Sequence, residues 1–110
     1  MPRTTDPDVL LLQAAADPIR LNMLRQLSTA TVCACDFTAE ASVSQPTVSH
    51  HLRVLREAGW VDTERRGTWI YYSLRPEAVK RFQRLAGMLG APQMMPTSNS
   101  LVRRLPVLAD

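Results

Sequence analysis

The feature that most constrains the fold is a change of period at Gly59. Upstream of it, Val48, Leu52 and Leu55 recur at helical spacing along one stripe of the segment Gln45–Ala58. Downstream, Trp60-Val61-Asp62-Thr63-Glu64-Arg65 and Thr68-Trp69-Ile70-Tyr71-Tyr72-Ser73 are β-branched and aromatic, with Arg66-Gly67 between them. Two such runs around a tight turn predict a hairpin. Ser44 is placed to cap the helix, Pro46 falls in its first turn, and Gly59 is its stop. A helix that ends on glycine and leads straight into a hairpin leaves few architectures open.

The rest of the chain narrows them. Asp6-Pro7 and Asp17-Pro18 are both a capping carboxylate followed by a first-turn proline. The first predicts a helix to about Ala16. The second predicts one that carries Ile19, Leu21, Leu24 and Leu27 inside and Arg20 and Arg25 outside, fading near Ser28-Thr29. Cys35 to Ala41 reads as a short helix and Ser42-Val43-Ser44 as a turn. Arg75-Pro76-Glu77 opens a last helix with Val79, Phe82, Leu85 and Leu89 apolar. A short helix, a tight turn and a longer helix make a helix-turn-helix, and the hairpin behind it makes the winged form. The expected fold is therefore mainly α with a β-hairpin wing, over residues 1–90. From Ala91 the chain holds Pro92, Pro96 and Pro106 and the polar run Thr97-Ser98-Asn99-Ser100, which predicts a mobile tail over 91–110.

Length and composition limit the function classes. A chain of 110 residues builds one modest core. No apolar run approaches the roughly 20 residues of a membrane-spanning helix. Met1-Pro2-Arg3-Thr4-Thr5-Asp6 carries no apolar leader, so a cytoplasmic location is expected, without a membrane partner. There is no nucleophile elbow and no glycine-rich phosphate loop, and glycine occurs only four times, so an enzyme is not expected.

Charge points toward an anionic partner. The net charge of +3 is mild, but from Ser44 to Arg84 eight Lys/Arg face four Asp/Glu. Opposite the stripe of Val48, Leu52 and Leu55, the helix presents Gln45, Thr47, Ser49, His50 and Arg53. Glutamine can bond adenine, arginine can fork onto guanine, and Ser/Thr can reach bases or phosphates. A solvated polar face would have the same composition; the hairpin tip Arg65-Arg66-Gly67, placed to follow phosphates beside the groove, favours double-stranded DNA. His50 and His51 point about 100° apart on a helix and cannot share an ion without distortion. His50 is expected to face the groove or serve structure, and His51 to pack near the helix-turn-helix core.

Both cysteines lie in Val32-Cys33-Ala34-Cys35-Asp36-Phe37. In a reducing compartment a close pair is more often a soft-ion or redox site than a staple. Soft thiolates without a carboxylate cluster argue against Mg, Ca or Mn. Two small buried hydrophobes, a redox pair and a soft-metal site all remain open. On a helix, residues i and i+2 lie about 200° apart, so both sulfurs can meet one atom only if the segment unwinds or stays unwound.

Taken together, Ala16-Asp17-Pro18-Ile19-Arg20-Leu21, the Val32–Phe37 segment, Ser44-Gln45-Pro46-Thr47-Val48-Ser49-His50-His51-Leu52, Leu55-Arg56-Glu57-Ala58-Gly59, Arg66-Gly67 and Tyr71-Tyr72 resemble the ArsR/SmtB family of winged-helix repressors. The likeness runs from about Ala14 to Ala86. It implies a homodimer through the first and last helices, about Pro7–Ala16 and Pro76–Leu89, that binds a two-fold operator until an inducer releases it. It matches Gln45, Thr47, Ser49, His50 and Arg53 to the recognition helix and Arg65, Arg66 and Gly67 to the wing. It matches Cys33 and Cys35 to ligands of As(III) or Sb(III), the inducer it implies, with no constitutive cofactor. Family sensors of zinc, nickel or cobalt use His and carboxylates on the last helix; Pro76–Leu89 offers Glu77 and no His. The sequence departs from many arsenical sensors where Thr38 replaces a third cysteine. Two thiolates then leave a third position for a small exogenous thiol, water or hydroxide. A repressor answering to another soft metal or to thiol oxidation, or with an incidental Cys pair, is the alternative, as is a winged protein-interaction domain.

Overall fold

The computed structural model of the chain describes residues 5–41 and 43–90, and the side chains of all of these but 39–41. The tail expected from Ala91 lies outside the described residues. Helices α1 (Pro7–Ala15) and α2 (Pro18–Leu27) come first, then a short strand β1 (Val32–Cys33). Helices α3 (Ala34–Ala41) and α4 (Gln45–Glu57) form the helix-turn-helix. Strands β2 (Val61–Arg66) and β3 (Trp69–Leu74) form the wing, and α5 (Pro76–Met88) closes the described chain. Among the described residues no helix is long and apolar enough to cross a membrane.

The helices start where capping chemistry directs. The Asp6 carboxylate accepts from the Asp8 amide at 2.9 Å, and the Asp17 carboxylate accepts from the Ile19 and Arg20 amides at 3.0 Å each. The Ser44 hydroxyl accepts from the Thr47 amide at 3.3 Å. Each of these helices has proline in its first turn. Gly59 leaves α4 with φ +92°, a conformation open to glycine.

Val48, Leu52 and Leu55 are buried, as their spacing requires. They pack with Leu11, Met23, Phe37 and Trp60 into one core beneath α4. Buried Trp60 is anchored as well as packed, because its indole N–H donates to the Leu11 carbonyl at 2.8 Å. That bond ties the start of the wing to α1. Helix α5 packs on α1, with Arg81 Nε 3.7 Å from Asp8 Oδ1.

The wing differs from the expected two-stranded hairpin in two respects. Strand β1 adds to it, giving an antiparallel sheet of order β1-β3-β2, with Val32 opposite Tyr72 and Cys33 opposite Tyr71. The turn is Gly67-Thr68 rather than Arg66-Gly67. Arg66 is the last residue of β2, paired with Trp69, and Gly67 takes φ +63°. The positive φ selects glycine as the first turn residue, which moves Arg66 onto the strand.

Candidate nucleic-acid interface and thiol pair

Cys33 and Cys35 belong to different elements. Cys33 ends β1 and is buried, held by pairing with Tyr71. Cys35 lies in the first turn of α3 and is exposed. The segment is thus extended at one cysteine and helical at the other, so the geometry that opposes two sulfurs on a helix never applies. The Cys35 thiol donates to the Cys33 sulfur at 2.6 Å, and the Asp36 carboxylate is 3.9 Å from Cys35 Sγ. Thiolates bound to one ion at roughly 2.3 Å each, at angles of about 90–110°, stand roughly 3.3–3.8 Å apart, so this pair comes within reach of one ion by separating about 1 Å. The hydrogen bond to Cys33, with the negative charge of Cys33 and Asp36 nearby, pushes the Cys35 thiol up from its ordinary range. Among the described residues no three His, Cys, Asp or Glu gather to hold an ion, so the described protein offers two soft ligands here.

The exposed face of α4 divides in two. Gln45, Ser49 and Arg53 recur at i, i+4 and i+8 and share one side of the helix. With Arg56 they form one wall of a cavity of about 560 Å³. Cys33, Cys35 and Thr38 line another side of it, and Trp69, Ile70 and Tyr72 of β3 a third. The thiol pair and three of the five residues expected to read DNA from α4 therefore open into one space. Thr47 and His50 lie outside it. The Thr47 hydroxyl is 2.9 Å from that of Ser44, within the cap of α4, and His50 is exposed beside the His51 ring at 5.4 Å between centroids.

His51 is buried, as expected of a residue packed at the helix-turn-helix core. Its Nδ1 is 3.1 Å from Arg20 Nη1 and 3.9 Å from Asp17 Oδ2. Burial holds its pKa below the ordinary value, against the pull of the Asp17 carboxylate.

At the wing tip the two arginines differ. Arg66 is 3.1 Å from Glu64 Oε2, and its guanidinium sits over the Tyr71 ring, 4.8 Å from the centroid. Arg65 is exposed with no ion-pair partner among the described residues. Arg56, Trp69, Ile70 and Tyr72 escaped the sequence reading as site residues. Arg56 follows Arg53 by three positions and could have been found by extending the helical face; the three β3 residues carry only a strand signal until tertiary structure places them.

A helix-turn-helix with a polar face on its second helix and a basic hairpin behind it defines a winged-helix DNA-binding regulator. The comparisons agree. Residues 17–63 match the bacterial regulatory protein, arsR family model. An uncharacterized HTH-type transcriptional regulator of Methanocaldococcus jannaschii is 36% identical over 80 residues, covering 72% of this chain and 90% of that protein. The arsenic resistance transcriptional regulator of Pseudomonas putida is 38% identical over 69 residues, 62% of this chain and 54% of that one. Among solved structures, a "possible transcriptional regulator for arsenical resistance" superposes with TM-score 0.68 at 29% identity, over 74% of this chain and 85% of the other. The chain belongs to the ArsR family of DNA-binding transcriptional regulators, which are not enzymes.

Proposed function

We propose that the protein is a cytoplasmic metalloid-responsive repressor, which binds two-fold operator DNA as a homodimer and leaves it when As(III) or Sb(III) binds Cys33 and Cys35. Residues 1–90 are the DNA-binding and dimerisation unit. Gln45, Thr47, Ser49, His50 and Arg53 enter the major groove, and Arg65, Arg66 and Gly67 lie along adjacent phosphates. Dimerisation uses α1 and α5, whose outer faces leave Leu12 and Phe82 exposed at 44% and 43% and Met88 at 78%. No constitutive cofactor is part of this reading.

The observation that carries this reading is the pair of sulfurs 2.6 Å apart at the junction of β1 and α3. Both elements meet the reading apparatus: β1 is hydrogen-bonded to β3 of the wing, and α3 packs on α4. An ion bound to both thiolates links strand to helix at that junction. A rearrangement there favours the state with weak DNA affinity, and the inducer acts by binding that state better. The arsenical-resistance names of the relatives support the choice of ion.

The same proximity favours a second reading, release by thiol oxidation. A DNA-binding titration with As(III), Sb(III), Zn(II), Cd(II) and oxidant separates them. Native protein is expected to release DNA with As(III) and Sb(III). The double variant Cys33→Ser, Cys35→Ser is expected to bind DNA and ignore both ions. Release of that variant by arsenite would sink the proposal, and release of the native protein by oxidant alone would favour the second reading.

A further inference from the structure

A trivalent metalloid forms three bonds, and this chain has only two cysteines. Thr38 lines the cavity beside them but offers a hydroxyl, a harder and weaker ligand than a thiolate. The cavity is far larger than one ion requires. Its volume of about 560 Å³ falls in the range of small-molecule sites, roughly 300–1,000 Å³. Its lining is cationic: Arg53 and Arg56 both face it, and among the described residues neither has an ion-pair partner and no Asp or Glu lines the space. Trp69 and Ile70 add apolar surface to the lining.

We infer that the third ligand is a small anionic thiol from solution, seated in this cavity with its sulfur on the metalloid and a carboxylate on Arg56 or Arg53. The inference rests on the reading of Cys33 and Cys35 as the metalloid site. Guanidinium groups fork onto carboxylates, and the methylene parts of the thiol lie against Trp69 and Ile70. The bonding balances without an oxidant. Arsenous acid exchanges three As–O bonds for three As–S bonds, two to the protein and one to the small thiol. The three thiol protons leave in three water molecules, and arsenic remains trivalent.

This places the complete ligand against the α4 face that reads DNA. A carboxylate on Arg53 withdraws that cation from DNA, and the bulk of the thiol fills the space beside Gln45 and Ser49. The anionic thiol is thus a co-inducer, and its charge matters as well as its sulfur.

The test compares glutathione with its dialkyl ester, which has the same thiol and fewer negative charges. The DNA probe is a duplex that the protein selects from a random pool. Intact-complex mass spectrometry with arsenite and glutathione is expected to give one arsenic and one glutathione per protomer. Half-release of the DNA is expected at about tenfold less arsenite with glutathione than with the ester, the size of one charge-assisted contact. Arg53→Gln or Arg56→Gln is expected to erase that difference, and its full retention in both variants would overturn the co-inducer. Adducts with arsenic but no thiol, or equal release with both thiols, would overturn the co-inducer while leaving the Cys pair as the site. Failure of arsenite to bind under every condition would overturn the Cys-pair reading and the co-inducer together.

Discussion

Arg20 Nη1 lies 3.1 Å from His51 Nδ1, joining the first turn of α2 to the middle of α4. Guanidinium can only donate, so Nδ1 accepts and the ring is neutral with its proton on Nε2. Arg20 also donates through Nε to the Ala14 carbonyl at 2.6 Å, which holds the guanidinium in place. A protonated His51 would lose this bond and face a cation. Asp17 attracts that proton at 3.9 Å, but burial outweighs it and the pKa is lowered from 6.5. Above 6.5 the ring is neutral in both folded and unfolded chains and contributes no pH dependence. Below it the unfolded chain takes up a proton that the folded chain resists, so stability falls. Denaturant titrations between pH 7.5 and pH 5, values chosen to span roughly one unit or more either side of the ordinary histidine pKa, are expected to show that loss. In His51→Gln, whose amide oxygen can still accept from Arg20, the loss is expected to shrink. An unchanged slope in that variant would assign the pH dependence elsewhere.

Gly59 separates α4 from the wing by a backbone conformation alone. Its φ is +92°, and a Cβ added there meets nothing within 4 Å. Any loss on substitution is therefore backbone strain rather than a clash. Gly59→Ala is expected to destabilise the fold by about 1–3 kcal/mol, a drop in Tm of roughly 4–8 °C per kcal/mol for a domain of this size. Thermal unfolding measures it. A loss below about 0.5 kcal/mol would mean that the chain leaves α4 in another conformation.

The two thiols differ in access. Cys33 is 6% exposed inside a paired strand, whereas Cys35 stands on the first turn of α3 with its pKa raised by the hydrogen bond to Cys33. The thiolate is the reactive form. Alkylation with iodoacetamide is expected to mark Cys35 first, with a rate midpoint above that of free cysteine in the same buffer. Arsenite is expected to protect both, and its affinity to rise with pH because binding expels thiol protons. Peptide mass mapping reads the order, and prior modification of Cys33 would contradict the placement of β1.

The helices were legible because their signals are local. Asp6-Pro7, Asp17-Pro18 and Ser44-Gln45-Pro46 each mark a start within three residues, and Val48, Leu52 and Leu55 mark a face by spacing. Strand β1 was not legible. Two residues have no period, and Val32 and Cys33 become a strand only by pairing with Tyr72 and Tyr71, far along the chain. That one omission made the Cys pair look like a helix problem, when one cysteine is outside the helix. The outer face of α4 was visible as polar residues, but its cavity with Cys33, Cys35 and Trp69 depends on where the sheet packs. The Arg66-Gly67 turn slipped by one residue because two-residue turns are decided by which position takes positive φ.

The wing offers the last prediction. Arg65 is free of ion pairs among the described residues, whereas Arg66 is held by Glu64 at 3.1 Å and by the Tyr71 ring. The Arg66–Glu64 pair is exposed and adds little to stability, but it and the Tyr71 ring would compete with phosphate for Arg66. Arg65→Ala is expected to weaken DNA binding across sequences and to lower the slope of log affinity against log salt by about 1, one lost phosphate contact. Arg66→Ala is expected to do less. Glu64→Gln removes both the competitor and a negative charge beside the DNA, so it is expected to tighten binding and steepen the salt slope. Affinity measurements over a salt series on these three variants check the order. If Glu64→Gln left affinity unchanged while Arg66→Ala cost as much as Arg65→Ala, Arg66 would reach phosphate despite its ion pair, and the wing tip would act as two equivalent cations.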